Sequence, residues 1–237
     1  MENVISDLVD TTRTLLFNAL PSHRILISVS GIPGSGKTTL ASKVVRGLNA
    51  RHRSDGNDTD IAAMIPMDGY HLTRATLSAM PNPAEAHARR GAPFTFDPTA
   101  LKKLVVKLRE PVVAGAPPIY APSFDHAIKD PVEDDIAILS TQQVLIFEGN
   151  YLSLKDDIWG TISALFDELW FVSVDREVAR KRLIARHLAA GLADTPETAA
   201  KRADENDLLN GDFIVANMAA VHRVIRSIPD EDYARNC

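Results

Sequence analysis

Residues 25–45 read ILISVSGIPGSGKTTLASKVV, and this stretch decides the fold. It opens with an apolar, β-branched run and continues with three glycines within six residues. It ends with a run of residues that is typical of a helix. Residues 31–38 fit the spacing G-x-x-x-x-G-K-[ST] without a mismatch. Glycines in such a turn permit unusual backbone angles and let an anion approach the main chain closely. The stretch therefore predicts a strand, an anion-binding turn and a helix, in that order.

The glycine turn, residues 31–38, is expected to hold the phosphates of a nucleotide. Main-chain N–H groups would donate to the phosphates, and the start of the following helix adds its positive dipole end. Lys37 is expected to reach the β- and γ-phosphates, and the Thr38 hydroxyl is expected to ligate Mg²⁺. The predicted nucleotide-binding residues are Gly31, Pro33, Gly34, Ser35, Gly36, Lys37, Thr38 and Thr39. A glycine-rich turn without a ligand is the alternative, which the strand and helix context disfavours.

Apolar, β-rich runs alternate with helical patterns along the chain, which predicts an α/β fold with a mostly parallel central sheet and helices on both faces. The predicted strands are residues 25–30, 61–67, 144–148 and 169–174, and the predicted helices are residues 37–49, 98–108, 178–190 and 196–209. An amphipathic helix is expected over residues 1–20, with Val4, Leu8, Leu15 and Leu16 among its buried positions. We interpret the 237 residues as one domain.

Composition limits the classes of function. The net charge of −5 disfavours broad nucleic-acid binding, and no apolar run approaches the roughly 20 residues that span a bilayer. The single cysteine, Cys237, excludes a disulfide within the chain and favours a reducing compartment, so we expect a cytoplasmic protein. The expected partner is a small molecule. The oligomeric state, monomer or homodimer, is left open.

Two carboxylates follow predicted buried strands. Asp68 lies at the carboxyl end of the second strand, where ligands bind in parallel sheets, and could accept a proton from a substrate hydroxyl that attacks the γ-phosphate. Glu148 directly follows four apolar residues and could hold Mg²⁺ directly or through water. The alternatives are that Asp68 caps the following turn and that Glu148 is a cap or turn residue.

Two segments between the strands are rich in proline. Residues 80–97 contain three prolines and are expected to form a long loop that closes over a site. Residues 110–135 are expected to contain short strands, arranged as a small hairpin beside the main sheet. We therefore place the acceptor side of the site in residues 80–135.

The segments GIPGSGKTT, MDGYHL, RRGAPFTFD, PIYAPSFDH, IFEGNYL and RKRLIARH resemble the phosphoribulokinase/uridine kinase/pantothenate kinase family of P-loop small-molecule kinases. The resemblance covers residues 25–210, and the motifs are most similar to those of the branch described as uridine kinase-like or fructose-transport-system kinase. It implies the three-layer P-loop NTPase fold with a lid helix, an ATP and Mg²⁺ requirement, Asp68 as general base and Glu148 as the acid associated with Mg²⁺.

The resemblance also implies acceptor contacts. Arg90 matches a segment near the acceptor site of relatives, and Tyr120, Asp125 and His126 match elements that contact the acceptor. His71 lies in an acceptor-side loop, so it is a further candidate. The chain has Asp-Gly-Tyr-His at 68–71 where uridine kinases have a motif nearer Asp-Ser-Phe-Tyr, which puts a nucleoside acceptor in doubt.

Residues 176–191 form the expected lid region. Five basic residues lie between Arg176 and Arg186 against one acid, and Arg182 and Arg186 share a helical face. Lid arginines can offset charge that develops on the transferred phosphoryl group. We predict Arg182 and Arg186 in this role, with Arg180 as a further candidate. A solvated basic face is the alternative.

These observations favour an ATP-dependent kinase that phosphorylates a hydroxyl of a small metabolite, whether nucleoside-like, pantothenate-like or sugar-like. Two alternatives stay open: a nucleotide-binding regulatory protein without efficient transfer, and a nucleoside monophosphate kinase. The second alternative needs arginines for a phosphorylated acceptor, and Arg74, Arg89 and Arg90 are the candidates.

Overall fold

Five parallel strands form the central sheet of the computed structural model, which describes residues 2–125 and 127–227. The strand order is β2-β5-β1-β6-β7. The strands of this sheet are β1 (Ile25–Gly31), β2 (Ala62–Pro66), β5 (Val144–Glu148), β6 (Glu168–Ser173) and β7 (Arg223–Arg226). The other two strands, β3 (Ile119–Asp125) and β4 (Asp130–Ile138), pair with each other as an antiparallel hairpin.

Helices cover both faces of the sheet. The α-helices are α1 (Glu2–Asn18), α2 (Lys37–Ser54), α3 (Arg74–Ser78), α4 (Pro83–Ala88), α5 (Pro98–Leu108), α6 (Asp157–Ser163), α7 (Arg176–Ala189), α8 (Pro196–Arg202) and α9 (Leu208–Asn217). Short 3₁₀ turns occupy Met67–Tyr70 and Pro93–Thr95, and a π-turn occupies Ala203–Asp207. Within the described ranges, no helix is both long and apolar enough to cross a membrane.

Alternation along the central strands divides the core into two layers. In β1, Leu26 packs in the cluster that includes α5 and α6, whereas Ile27 and Val29 pack in the cluster that includes α1 and α2. In β5, Phe147 packs in the cluster with α5 and α6, and Ile146 packs in the cluster with α1 and α2. Strands buried on both faces read as nearly continuous apolar runs, which is the pattern of the sequence. The predicted three-layer α/β fold is confirmed.

Helix α1 corrects one prediction about burial. Val4 was expected inside but is 43% exposed, whereas Leu8 is buried as predicted, together with Val9 and Thr12. Leu15 and Leu16 are partly buried. Gly47 of α2 lies so close to α1 that a Cβ on it would come within 2.8 Å of Val9 Cγ2. The close approach of the two helices at Val9 therefore lies beyond Val4.

The segment between β2 and α5 is more ordered than the predicted loop. Residues 80–97, the acceptor segment, contain α4 and the 3₁₀ turn Pro93–Thr95. Asn82 caps α4 by accepting a hydrogen bond from Glu85 N, and Pro83 occupies the first turn. Short helices of this kind are set by capping and proline rather than by apolar periodicity, so a search for a repeating apolar pattern overlooks them.

The β3–β4 hairpin packs directly against the turn that follows β2. A Cβ on Gly69 would lie 2.2 Å from the Pro122 carbonyl oxygen, so only glycine permits this approach. The hairpin confirms the expectation of short strands beside the main sheet. Its position brings Ser123 and Phe124 to the edge where β2 and β5 end.

Candidate active site

The glycine turn joins β1 to α2 with backbone angles that demand glycine at two positions. Gly34 has φ +79° and Gly36 has φ +86°, both in the left-handed region. A Cβ on Gly34 would also lie 2.8 Å from the Ala179 carbonyl oxygen of α7. Because Gly36 has no side chain, it leaves the N-terminus of α2 without a side-chain cap. The turn thus presents a helix N-terminus of the kind that binds anions.

Arg182 of α7 and Ser227, which directly follows β7, hold the carbonyl side of the glycine turn. Arg182 Nη1 donates to the Gly34 carbonyl oxygen at 3.3 Å and to Ser227 Oγ at 2.8 Å. Ser227 Oγ in turn donates to the Ser35 carbonyl oxygen at 2.6 Å. Arg182 is buried. The structure therefore places this guanidinium group behind the turn, whereas the sequence prediction placed it over the phosphates.

A cleft of about 570 Å³ opens in front of the turn. The predicted residues that line it come from four distant parts of the chain: Gly34, Gly36, Lys37, Thr38, Thr39, Asp68, Glu148 and Arg186. Parallel strands place their carboxyl ends at one edge of the sheet, and this is why Asp68 after β2 and Glu148 at the end of β5 meet Lys37. Gly31, Pro33 and Ser35 belong to the same turn but do not line the cleft.

Lys37 and Glu148 form a buried pair beneath the cleft. Lys37 Nζ lies 3.9 Å from Glu148 Oε1, and both side chains are almost inaccessible to solvent. Burial lowers the pKa of Lys37, while the charge of Glu148 opposes that change. Burial raises the pKa of Glu148, opposed by Lys37 and by a hydrogen bond from the Thr38 side chain. The hydroxyl and carboxylate form an oxygen-rich pair that fits Mg²⁺, a cation that prefers oxygen ligands.

Asp68 presents its carboxylate to the cleft. Its side chain is 48% exposed, and the 3₁₀ turn that contains it has no side-chain cap. The turn is held instead by the Asp68 carbonyl oxygen, which accepts hydrogen bonds from His71 N at 3.1 Å and from His71 Nδ1 at 2.8 Å. The hydrogen bonds that hold the turn go to the carbonyl oxygen of Asp68, and its carboxylate faces the cleft.

His71 is anchored by aromatic packing. Its ring centroid lies 4.0 Å from that of Phe96 and 4.9 Å from that of Phe124, and its side chain is largely buried. Its Nδ1 carries the proton donated to Asp68, since a carbonyl oxygen only accepts. The predicted role in acceptor binding stays a prediction, and the visible role of His71 is to brace the turn beneath Asp68.

Arg90 ties the acceptor segment to the hairpin. Its Nη2 donates to the Leu72 carbonyl oxygen and to Asp130 Oδ1, each at 3.0 Å, and its Nη1 donates to the Lys129 carbonyl oxygen. The guanidinium carbon lies 5.4 Å from the centre of the Phe124 ring. With this many protein partners, Arg90 is placed as a structural clamp rather than as a group that faces the cleft.

Two further predicted acceptor residues, Asp125 and Tyr120, do not line the cleft. Asp125 Oδ1 accepts hydrogen bonds from Ala127 N at 2.7 Å and Ile128 N at 3.2 Å, and so closes the hairpin turn. Tyr120 is half exposed and lines a separate cavity of about 500 Å³ on the far side of the hairpin. His126 lies outside the described residues.

Lid helix α7 presents Arg186 to the cleft and Arg180 away from it. Arg186 Nη2 lies 3.9 Å from Asp207 Oδ1 of the π-turn. Arg180 instead makes two hydrogen bonds to Asp204, at 2.7 and 2.8 Å, on the solvent side. Of the arginines considered for the lid, the structure therefore favours Arg186 as the one that reaches the phosphates.

Six further residues line the cleft that were not anticipated from the sequence: Ser42, Arg46, Met64, Pro66, Ser123 and Phe124. Ser42 and Arg46 follow Thr38 at intervals of four residues, so all three share one face of α2, and this spacing could have revealed them. Ser123 and Phe124 reach the cleft through the hairpin. No local sequence signal indicates their position, because it depends on how the hairpin packs against Gly69.

Proteins named as kinases are similar to this chain. A protein of Aspergillus versicolor named ATP-dependent kinase-like protein notR' is 52% identical over 159 residues, which cover 67% of this chain and 92% of the relative. A Schizosaccharomyces pombe protein named as a candidate uridine kinase is 41% identical over 206 residues, covering 87% of this chain and 84% of the relative. No protein-family model matches the sequence.

Solved structures share the fold. The crystal structure of a candidate fructose transport system kinase from Silicibacter sp. TM1040 superposes with a TM-score of 0.77 at 29% identity, covering 92% of this chain and 98% of that one. YFH7 from Saccharomyces cerevisiae superposes with a TM-score of 0.83, covering 94% of this chain and 98% of that one. At 24% identity, this similarity shows the fold alone. The chain therefore belongs to the phosphoribulokinase/uridine kinase/pantothenate kinase family of P-loop small-molecule kinases.

Proposed function

We propose that this protein is an ATP- and Mg²⁺-dependent kinase that transfers the γ-phosphoryl group to a hydroxyl of a small, unphosphorylated metabolite. The observation that carries the proposal is the convergence of Lys37, Glu148 and Asp68 on one cleft in front of the glycine turn. The names of the relatives support the use of ATP. The acceptor is proposed from the geometry of this chain.

Each cleft residue has a role in this reaction. The turn would hold the phosphates, with Lys37 at the γ-phosphate, where its charge stabilises the transition state. Thr38 and Glu148 would hold Mg²⁺, which when bound neutralises charge on the β- and γ-phosphates. Asp68, exposed to the cleft, would accept the proton of the attacking hydroxyl. Arg186 would offset the charge on the transferred group.

The contacts of the acceptor-side arginines favour an unphosphorylated acceptor over a nucleoside monophosphate. A phosphorylated acceptor needs guanidinium groups on the acceptor side of the cleft, and none of Arg74, Arg89 and Arg90 lines it. The arginines that do line the cleft, Arg46 and Arg186, lie on α2 and α7. Arg89 donates to Asn206 Oδ1 at 3.0 Å and to Asn210 Oδ1 at 2.9 Å, and Arg90 binds the hairpin. Binding a second phosphate would require these hydrogen bonds to break.

The position of Asp68 also favours transfer over a purely regulatory role. A nucleotide-dependent switch needs the phosphate-binding turn and the Mg²⁺ ligands but has no use for a carboxylate held toward an acceptor. The nearby Ser123 and Phe124 supply a wall beside Asp68, against which a small alcohol could lie. This arrangement is what a kinase requires to place a hydroxyl in line with the γ-phosphate.

The proposal is tested by a coupled assay of ADP release against a panel of alcohols that includes sugars, nucleosides, pantothenate-like compounds and their phosphorylated counterparts. We expect turnover with at least one unphosphorylated alcohol and little with the phosphorylated compounds. Asp68→Asn should bind ATP as the wild type does but lose about 10²- to 10⁴-fold in turnover. Asp58→Asn, at an exposed residue in the loop after α2, is the matched control. Near wild-type turnover of Asp68→Asn would remove that residue from the mechanism, and turnover confined to nucleoside monophosphates would overturn the acceptor class.

A further inference from the structure

The π-turn Ala203–Asp207 joins the lid to the rest of the site. Its Asp207 reaches α7, where it approaches two consecutive residues, Arg186 and His187. We propose that Asp207, held in place by His187, positions Arg186 for the transferred phosphoryl group. The proposal rests on the proposed function, because it assigns Arg186 to the γ-phosphate of ATP. π-turns inside helical segments are frequent at functional sites.

His187 fixes one side of this arrangement. Its side chain is 2% exposed, its Nε2 lies 3.2 Å from Asp207 Oδ2, and its Nδ1 lies 3.4 Å from the Ala199 carbonyl oxygen of α8. Both neighbouring atoms are oxygens that can accept a hydrogen bond from the imidazole ring. The imidazole ring therefore connects three consecutive elements: α7, α8 and the π-turn.

Asp207 lies between Arg186 and His187. Its side chain is only 16% exposed, and within the described part of the chain its Oδ2 is buried without a hydrogen-bond donor of good geometry. Burying such an oxygen is unfavourable unless nearby charge compensates. Arg186 supplies that charge on one side, and the His187 ring packs against the other. Because consecutive helical side chains diverge by about 100°, these two residues can approach one carboxylate from different directions.

The contact with Arg186 is suited to positioning. The 3.9 Å separation between Arg186 Nη2 and Asp207 Oδ1 is longer than a hydrogen bond, so the carboxylate orients the guanidinium group without occupying its donors. A long, half-exposed arginine that is held in advance loses less conformational freedom when the triphosphate binds.

The test compares binding of ADP with binding of a non-hydrolysable ATP analogue by titration calorimetry, in the presence of Mg²⁺. Arg186 interacts with the γ-phosphate, so Asp207→Asn should weaken the analogue about tenfold and change ADP affinity less than about twofold. Arg186→Met should have the same effect. The double variant should be no weaker than either single variant, because Asp207 acts only through Arg186.

Matched variants separate positioning from a general effect on the lid. Asp204→Asn removes the outer ion pair between the same helix and the same π-turn, and it should leave both affinities unchanged. His187→Gln keeps a donor for Asp207 and should retain most of the preference for the triphosphate, whereas His187→Leu should behave as Asp207→Asn. Thermal unfolding of each variant checks its fold, and if Asp207→Asn does not fold, His187→Leu with Arg186→Met provides the same cycle.

Two outcomes would overturn the proposal. If Asp207→Asn lost the same affinity for ADP as for the analogue, the residue would support only the fold. If the losses of analogue affinity in the two single variants added up in the double variant, Asp207 and Arg186 would act independently. Neither readout requires phosphoryl transfer. The expected selective loss of analogue affinity, without additivity in the double variant, could occur together with no turnover on any alcohol. That combination would refute the proposed kinase reaction and leave the positioning role intact.

Discussion

Alanine substitutions at three glycines with positive φ measure how tightly the glycine turn packs against the lid helix. Gly34, Gly36 and Gly56 have φ values of +79°, +86° and +92°. An alanine at any of them costs about 1 kcal/mol in backbone strain. The surroundings differ. A Cβ at Gly56 has no neighbour within 4 Å, one at Gly36 has its nearest neighbour at 3.6 Å, and one at Gly34 would lie 2.8 Å from the Ala179 carbonyl oxygen.

The contact at Gly34 adds a second cost. The Ala179 oxygen belongs to the backbone of α7, so it cannot move aside as a flexible side chain would, and overpacking of this kind costs about 1–3 kcal/mol. We expect Gly36→Ala and Gly56→Ala each to lower the free energy of unfolding by about 1 kcal/mol, and Gly34→Ala to lower it by about 3 kcal/mol. In a chain of this length, about 1 kcal/mol corresponds to a change of about 2–4 °C in Tm.

The assay is urea-induced unfolding followed by circular dichroism, together with calorimetric titration of ADP. Gly36→Ala should weaken ADP binding although it costs little stability, because it disturbs the N-terminus of α2. Gly56→Ala should leave ADP binding unchanged. If Gly34→Ala and Gly36→Ala lost the same free energy of unfolding, the contact between the turn and Ala179 would contribute nothing, and the reasoning from close packing would fail.

Three further predictions concern charge. Lys37→Ala should reduce turnover below detection in the ADP-release assay while the far-ultraviolet dichroism stays unchanged. Because burial raises the pKa of Glu148 above its ordinary 4.5, the folded protein binds this proton more tightly than the unfolded chain. The nucleotide-free protein should therefore gain stability as the pH falls through the window above 4.5, and Glu148→Gln should abolish that gain in unfolding experiments at a series of pH values. Arg109 binds both carboxylate oxygens of Asp167 at 3.1 and 3.0 Å and lies far from the cleft, so Arg109→Met should lower the free energy of unfolding by about 2 kcal/mol with unchanged KM for ATP.

The central part of the fold follows from short-range sequence rules. Strand β5 and helix α5 have the predicted bounds, because a continuous apolar run defines the first and Asp97 followed by Pro98 starts the second. The glycine turn forms where its spacing predicts. The meeting of Asp68 and Glu148 also follows, since parallel strands end at one edge of the sheet.

The parts that sequence reasoning missed depend on long-range contacts. Strand β7 consists of Arg-Val-Ile-Arg, too short and polar to stand out, and it forms because β6 offers an unpaired edge. Arg90 and Asp125 have the residue types expected of an acceptor site, but hydrogen bonds within the hairpin occupy them. Arg182 shares its helical face with Arg186 in sequence, yet its guanidinium group turns toward the glycine turn. Residue type and spacing do not reveal which partner a long side chain reaches.

The hydrogen bond between Ser227 and the Ser35 carbonyl oxygen spans 192 positions of sequence. During translation, the glycine turn therefore leaves the ribosome long before Ser227 does. A nascent chain that has not yet reached Ser227 would have the glycines and Lys37 without the hydroxyl that binds the Ser35 carbonyl oxygen. We expect tight capture of a nucleotide only after Ser227 has been synthesised, so nucleotide binding by nascent chains would report that β7 has joined the sheet.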